Sequence, residues 1–138
     1  MRTGEAVFVD TGAWIALALT RDPLHQRART AWAALQASGA RCHTSAAIVL
    51  ETFTFLDRNA TRPVAMAWKD SVRAVRRLKV LACTPRDVAE CWRYFDRPDL
   101  HKLSAVDAVS FVLMTRLGIR VAFAFDSHFA VAGFRMVG

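Results

Sequence analysis

The chain has 138 residues, 54% of them hydrophobic, which indicates one globular domain and excludes a largely disordered chain. It carries 19 Lys and Arg residues against 12 Asp and Glu residues, so its formal net charge is +7. This charge fits a nucleic-acid partner and an ordinary basic protein equally well. The three cysteines form no Cys-x-x-Cys pair, which favours free thiols in a cytoplasmic protein over a disulfide scaffold or a zinc site. No apolar run is long enough to span a membrane.

Short runs rich in β-branched and aromatic residues predict strands along the whole chain. The first, AVFVD, is followed immediately by Gly12 and a helical pattern. The predicted strands are residues 6–10, 79–83 and 119–126, with two further candidates at 41–45 and 134–138.

Helical patterns separate these strands, and several begin with recognisable capping residues. Asp22 followed by Pro23 is typical of an N-cap and the first helical position, and Thr84 with Asp87 is typical of a capping box. The predicted helices are residues 13–19, 22–39, 46–59, 62–78, 84–97 and 104–118.

Strands that alternate with helices pair in parallel through right-handed crossovers. We therefore expect residues 1–138 to form a single α/β domain, a three-layer α/β/α sandwich with a central, mainly parallel sheet. In such sheets ligands bind beyond the carboxyl ends of the strands. Asp10 and Asp126 end two of the predicted strands, which places two carboxylates at that edge.

Most of the acidic residues have ordinary surroundings, among polar neighbours or at helix caps, where a carboxylate needs no special explanation. Eight of the twelve belong to this group: Glu5, Asp22, Asp57, Asp70, Asp87, Glu90, Asp96 and Asp99.

Four acids stand instead within apolar segments, where a charge is costly unless it is paired or binds a cation. Several carboxylates at one sheet edge would repel one another unless a divalent cation neutralised them, and ligation by oxygen favours Mg²⁺ or Mn²⁺ over Zn²⁺. The four are Asp10 after VFV, Glu51 in AAIVLETFTF, Asp107 in LSAVDAVSFVL and Asp126 after VAFAF.

Each of these acids also has a purely structural interpretation. Asp10 would cap the following helix, Glu51 would bond to an arginine, Asp107 would complete a capping box with Ser104, and Asp126 would form an Asx-turn. Two acids that end strands and two in the first turns of apolar helices nevertheless fit one convergent site better than four separate structural roles. A basic protein with such a site points to phosphodiester chemistry.

In their order along the chain, the segments VFVDTGAWIAL, DPLHQRA, TSAAIVLETFTFL, LSAVDAVSFVLM and FAFDSHFAVAGF resemble the PIN domain over residues 6–137. They are most similar to the single-domain PIN ribonucleases that act as toxins in VapBC-type toxin–antitoxin pairs. The resemblance implies a Mg²⁺- or Mn²⁺-dependent endoribonuclease with Asp10, Glu51, Asp107 and Asp126 as catalytic carboxylates. Among these, Asp10, Asp107 and Asp126 are the expected metal ligands.

The resemblance also implies accessory residues and partners. Thr11 matches a hydroxyl position beside the metal site, and Ser104 stands near the position of a further acid in some members. Apart from the resemblance, His128 stands two residues past Asp126 and is a candidate for a substrate-phosphate contact, with local packing or capping as the alternative. The expected partners are the RNA substrate, a cognate antitoxin and a second copy of the chain. Three tryptophans at helical positions are expected in the core or in dimer contacts: Trp32, Trp68 and Trp92.

Other functional classes fit less well. The triplet Asp10-Thr11-Gly12 also occurs in aspartic proteases, but those enzymes are nearly all β and rich in glycine, whereas this chain has six glycines and several long helical patterns. A phosphotransferase that uses Asp10 as nucleophile would carry a second Asp at position 12, where Gly12 stands. The remaining alternative is a non-catalytic RNA- or protein-binding module on the same fold.

Overall fold

The computed structural model describes residues 4–138 and contains one five-stranded sheet in which every neighbouring pair of strands is parallel. The strand order is β3-β2-β1-β4-β5. The strands are Ala6–Val9 (β1), Arg41–Ser45 (β2), Leu78–Leu81 (β3), Val121–Phe123 (β4) and Arg135–Val137 (β5).

Seven helices and one short 3₁₀ segment connect these strands. Two helices end at glycines with a φ of +68°, a conformation that glycine adopts without the steric cost of a Cβ. The helices are Thr11–Ala18 (α1), His25–Ala37 (α2), Ala46–Asn59 (α3), Arg62–Arg73 (α4), Pro85–Cys91 (α5), Ala105–Leu117 (α6) and His128–Val131 (α7), and the 3₁₀ segment is Trp92–Asp96.

The direction of strand addition reverses at β1. The chain first adds β2 and β3 on one side of β1 and then returns to add β4 and β5 on the other. Right-handed crossovers therefore place α1–α4 on one face of the sheet and α5–α7 on the opposite face, giving the expected three-layer α/β/α architecture. The crevice between the carboxyl ends of β1 and β4 is the switch point at which such sheets bind ligands.

Aromatic side chains fill the space between the layers. On one face, Trp14 of α1 packs against Trp32 and Trp68, with ring centroids 5.5 Å and 6.0 Å away. Trp32 and Trp68 thus contribute to packing as expected, whereas the side chain of Trp92 is 54% exposed and lies outside the core. On the other face, Phe111 of α6 anchors a second aromatic cluster.

Several predicted boundaries were wrong. The helix predicted over residues 84–97 is an α-helix only as far as Cys91 and continues as the 3₁₀ segment. Helix α2 begins at His25 rather than at Pro23, since the side chain of Asp22 accepts a hydrogen bond from the Leu24 N–H at 2.8 Å and forms a turn. Helix α4 ends at Arg73, five residues before the predicted end. Strand β4 ends at Phe123, three residues before Asp126, because its pairing with β5 covers only three positions.

Between residues 4 and 138, no helix combines the length and the apolar character needed to cross a membrane. All three cysteines are free thiols, as the sequence predicts.

Candidate active site

Asp10 lies at the centre of the crevice, directly after β1 and at the N-cap of α1. Its backbone N–H donates to the carbonyl of Phe123 at 3.0 Å, which holds the carboxyl ends of β1 and β4 together. The side chain is only 4% exposed, and its Oδ1 atom has no hydrogen-bond partner in the described residues. Although Asp10 occupies the N-cap position, its side chain makes no capping hydrogen bond, so the structural interpretation does not account for it.

Asp107 reaches the same crevice from the first turn of α6. Ser104 is the N-cap of this helix, and its hydroxyl accepts a hydrogen bond from the Asp107 N–H at 3.0 Å. The cap fixes the start of the helix and thereby the direction in which the buried Asp107 carboxylate projects. Ser104 also hydrogen-bonds to the Asp107 carboxyl, which lowers the pKa of that group and partly offsets the effect of burial.

Asp126 is placed by the turn that leads from β4 into α7. Its Oδ1 atom accepts a hydrogen bond from the His128 N–H at 2.9 Å, which is the Asx-turn expected from the sequence, and also lies 2.6 Å from Nδ1 of the His128 ring. On the other side of that ring, Nε2 is hydrogen-bonded to the carbonyl of His101. Nothing in the sequence indicates this role of His101, since a backbone carbonyl leaves no signature there.

Glu51 approaches from α3 on the α1–α4 side of the sheet. It is the sixth residue of the helix, so the expected position in the first turn was wrong and the residue lies in the second turn. Its Oε1 atom accepts a hydrogen bond from the Thr11 hydroxyl at 2.6 Å. Thr11 thus orients Glu51, a contact across 40 positions of sequence.

These carboxylates influence one another's protonation. Burial, followed by the charges of Asp107, Glu51 and Asp126, raises the pKa of Asp10 to about 8. Burial and the charges of Asp126 and Glu51 raise the pKa of Asp107 to about 6. All four predicted acids therefore lie near enough to repel, and no Lys or Arg of residues 4–138 forms an ion pair with any of them.

The arrangement suits a divalent cation. Asp107, Asp126 and His128 each offer a ligand atom, and these atoms lie within 4.8 Å of one another. The unpartnered Oδ1 of Asp10 adds a buried acceptor that no Lys or Arg of the described residues neutralises. A bound cation would remove both the repulsion and the missing contact.

Comparisons with known proteins agree with this architecture. A family model described as "PIN domain" matches residues 7–135. The 23S rRNA-specific endonuclease VapC20 of Mycobacterium tuberculosis, in strains CDC 1551 / Oshkosh and ATCC 25618 / H37Rv, is 34% identical over 128 residues, which cover 93% of this chain and 95% of the relative. The crystal structure of M. tuberculosis VapC20, described as a Sarcin-Ricin loop cleaving toxin, matches with a TM-score of 0.80 at 34% identity, covering 93% and 95% of the two chains.

Proposed function

The chain belongs to the PIN domain family, and from this premise we propose that it is a divalent-metal-dependent endoribonuclease of the VapC toxin type. The observation that carries the proposal is the convergence of four acids from separate elements on one crevice, where one of them keeps a buried oxygen without a partner. The family membership confirms the resemblance noted in the sequence. We further propose that residues 1–138 act as one nuclease domain.

Asp10, Asp107 and Asp126 would hold the metal. The carboxylates of Asp10 and Asp107 are buried, and that of Asp126 lies close enough to repel both. Oxygen ligands of this kind suit Mg²⁺, with Mn²⁺ as an alternative. Such an ion supplies an activated water and neutralises charge on the phosphate during hydrolysis.

Glu51 has a different environment and we assign it a different role. It is half-buried, and the Thr11 hydroxyl bonds to one of its two oxygens. The other oxygen is then free to orient the attacking water and to accept its proton. Thr11 is a positioning residue in this scheme, and so is His128. The His128 ring contacts Asp126 through Nδ1, and its Nε2 is hydrogen-bonded to the His101 carbonyl.

We propose RNA as the substrate, with the sarcin–ricin loop of 23S ribosomal RNA as the first candidate. VapC20 is named for that activity and is 34% identical to this chain over 93% of its length. The net charge of +7 supports binding to a polyanion.

We also propose a cognate antitoxin and a second copy of the chain as partners. Large apolar side chains are exposed on α5 and the 3₁₀ segment, where Val88, Trp92 and Phe95 form a patch suited to a dimer contact. Light scattering of the purified chain tests the dimer, and copurification with the product of the neighbouring reading frame tests the antitoxin.

The activity is tested with Asp10→Asn and Asp107→Asn on total RNA and on a sarcin–ricin loop oligonucleotide. Mutation of a residue that only supports a metal ligand typically lowers metal affinity or activity about 10–100-fold. We therefore expect the loss of a ligand itself to reduce the cleavage rate by at least about a hundredfold. Asp70→Asn is the matched control, because Asp70 is exposed on α4 and its one ion pair within residues 4–138 is with Lys69. EDTA should abolish cleavage by the wild type and by the control.

Equal cleavage by the two site variants, or cleavage that persists in EDTA, would exclude the metal-dependent nuclease. RNA binding without any cleavage by the wild type would favour the non-catalytic module instead.

A further inference from the structure

The loop that leads from the 3₁₀ segment into α6 is attached to the carboxylate cluster at two points. The carbonyl of His101 is hydrogen-bonded to Nε2 of His128, whose Nδ1 lies 2.6 Å from Oδ1 of Asp126. Three residues later, the hydroxyl of Ser104 accepts a hydrogen bond from the N–H of Asp107 at 3.0 Å. The backbone between His101 and Ser104 therefore follows the rim of the proposed metal site.

Lys102 stands within this loop in a sterically unfavourable backbone conformation. Its φ is +56°, in the left-handed region that a residue with a Cβ rarely adopts. Among the non-glycine residues from 4 to 138, only Arg77, with a φ of +61°, shares this conformation. The preceding Leu100 is buried and the His101 carbonyl is bonded, so the surrounding contacts hold Lys102 in place. Backbone of this kind is typical of functional sites.

The positive charge of Lys102 is uncompensated. The residue is exposed and takes part in none of the ion pairs formed within residues 4–138. Arg97, in the same loop, instead donates to Asp99 at 2.7 Å. The Cα atoms of Lys102 and Ser104 are two residues, at most about 7 Å, apart. The long side chain of Lys102 therefore starts beside the cap that positions the cluster.

The carboxylate cluster requires more positive charge than one metal ion provides. Four carboxylates carry four negative charges when ionised, and one divalent cation offsets two of them. An RNA phosphodiester that approaches this site brings a further negative charge. Lysine is an established binder of phosphate, acting as a compact point charge on a flexible stem.

We propose that Lys102 contacts a phosphate of the RNA at this rim, and that the left-handed backbone of the loop directs its ammonium group toward the carboxylate cluster. The inference rests on the proposed nuclease function. In this scheme Lys102 binds substrate, whereas the four acids and their cation perform the hydrolysis. Removal of Lys102 should therefore weaken the RNA complex more than it slows the chemical step.

The contact is tested with Lys102→Asn on an RNA oligonucleotide that the wild type cleaves. Asn adopts the left-handed conformation more readily than Lys, so this change removes the charge without adding strain. Loss of one hydrogen bond to a charged group should raise KM about tenfold while kcat changes much less. Lys102→Arg should restore most of the affinity, and the Tm of Lys102→Asn should not fall below that of the wild type.

Arg77→Asn is the matched control. It removes one positive charge and replaces the other non-glycine residue with a left-handed φ. Arg77 directly precedes β3, at the amino edge of the sheet and away from the crevice. The control should keep the wild-type KM, which separates a contact at the site from the general effect of lowering the net charge.

The ionic nature of the contact is tested by following RNA affinity against salt concentration. Measurements in the Glu51→Gln background with Mg²⁺ keep the proposed metal ligands and remove the proposed base, so the RNA should stay intact. Lys102→Asn should make the slope of log K against log salt shallower by about 0.7, the value for one phosphate of a single strand. Arg77→Asn should leave the slope unchanged.

A wild type that cleaves RNA while Lys102→Asn keeps both its KM and its salt slope would overturn this inference alone. Equal rises of KM in Lys102→Asn and Arg77→Asn would also overturn it, because the effect would then come from net charge. A raised KM with a lower Tm that Lys102→Arg does not reverse would assign Lys102 a structural role. A wild type that fails to cleave RNA in Mg²⁺ would instead overturn the proposed function.

Discussion

Two aspartates of this chain are almost equally buried and have opposite surroundings. Asp10 is 4% exposed and its Oδ1 atom has no partner in the described residues, while Asp87, near the start of α5, is 3% exposed and fully bonded. The Asp87 carboxylate accepts hydrogen bonds from the N–H and the hydroxyl of Thr84 at 3.0 Å and 2.9 Å, and lies 3.3 Å from the guanidinium of Arg116.

The contrast shows that the surroundings of a buried carboxylate distinguish a structural role from a functional one. The hydrogen bonds of Thr84, with help from Arg116, lower the pKa of Asp87, so its charge is stable within the protein itself. Burial and three neighbouring acids raise the pKa of Asp10 to about 8, so its charge requires something that the chain does not supply. The uncompensated carboxylate of Asp10 is what a cation site requires, whereas the fully bonded carboxylate of Asp87 is what a helix cap requires.

The largest expected effect comes from removing the charge of Asp10 in metal-free protein. A folded-state pKa near 8, against an ordinary value of 3.8, means that the folded state holds this proton longer than the unfolded state. Stability should therefore fall as pH rises from about 4 to about 8. Asp10→Asn should be the more stable protein at pH 8 in EDTA, with a flatter pH profile, as denaturant unfolding would measure. A less stable variant at every pH would mean that Asp10 is a structural residue like Asp87.

Adding the cation should reverse this order. A ligand that binds only the folded state stabilises it by about 2.7 kcal/mol at a concentration a hundred times its Kd. Mg²⁺ or Mn²⁺ should raise the Tm of the wild type and of Asp87→Asn, but not that of Asp10→Asn. EDTA-treated samples give the baseline, and an equal rise in all three proteins would place the metal elsewhere.

At the cap, the expected effect is on stability alone. Asp87→Ala removes the acceptor of the Thr84 N–H and hydroxyl, and loss of a cap of this kind costs about 1–2 kcal/mol. The variant should unfold at a lower denaturant concentration and still cleave RNA at the wild-type rate when folded. A large loss of kcat at unchanged stability would contradict the structural assignment.

These two aspartates already differ in their sequence context. Asp87 follows Thr84 by three residues in a polar segment, which is a local pattern, and the capping box is confirmed. Asp10 follows three apolar residues, and it indicated a site only because three other acids also lie within apolar segments. Segment type and hydrophobic context were sufficient for the parallel sheet and for most of the elements in their order. They also singled out four acids that the structure brings together, and their catalytic role stays a prediction.

Long-range contacts and backbone partners could not be predicted in the same way. The hydrogen bond from Thr11 to Glu51 joins residues 40 positions apart, and the ring of His128 is hydrogen-bonded to the backbone carbonyl of His101. Helix α7 has four residues, too few to show a periodic pattern. The end of β4 depends on how far β5 extends beside it, which no local signal encodes.

The smallest expected effect separates the two groups that stabilise Asp87. Hydrogen bonds from Thr84 contribute most to lowering the pKa of Asp87. The side chain of Arg116 is 51% exposed, so water screens its charge. Arg116→Gln should cost less than about 1 kcal/mol of unfolding free energy, the usual limit for an exposed ion pair. Thr84→Ala should cost more, because it removes the hydroxyl that exchanges hydrogen bonds with Asp87 at the amino end of α5. If Arg116→Gln were instead the more damaging change, the compensation at Asp87 would be mainly ionic, and the contrast with Asp10 would rest on one missing cation rather than on the hydrogen-bonded cap.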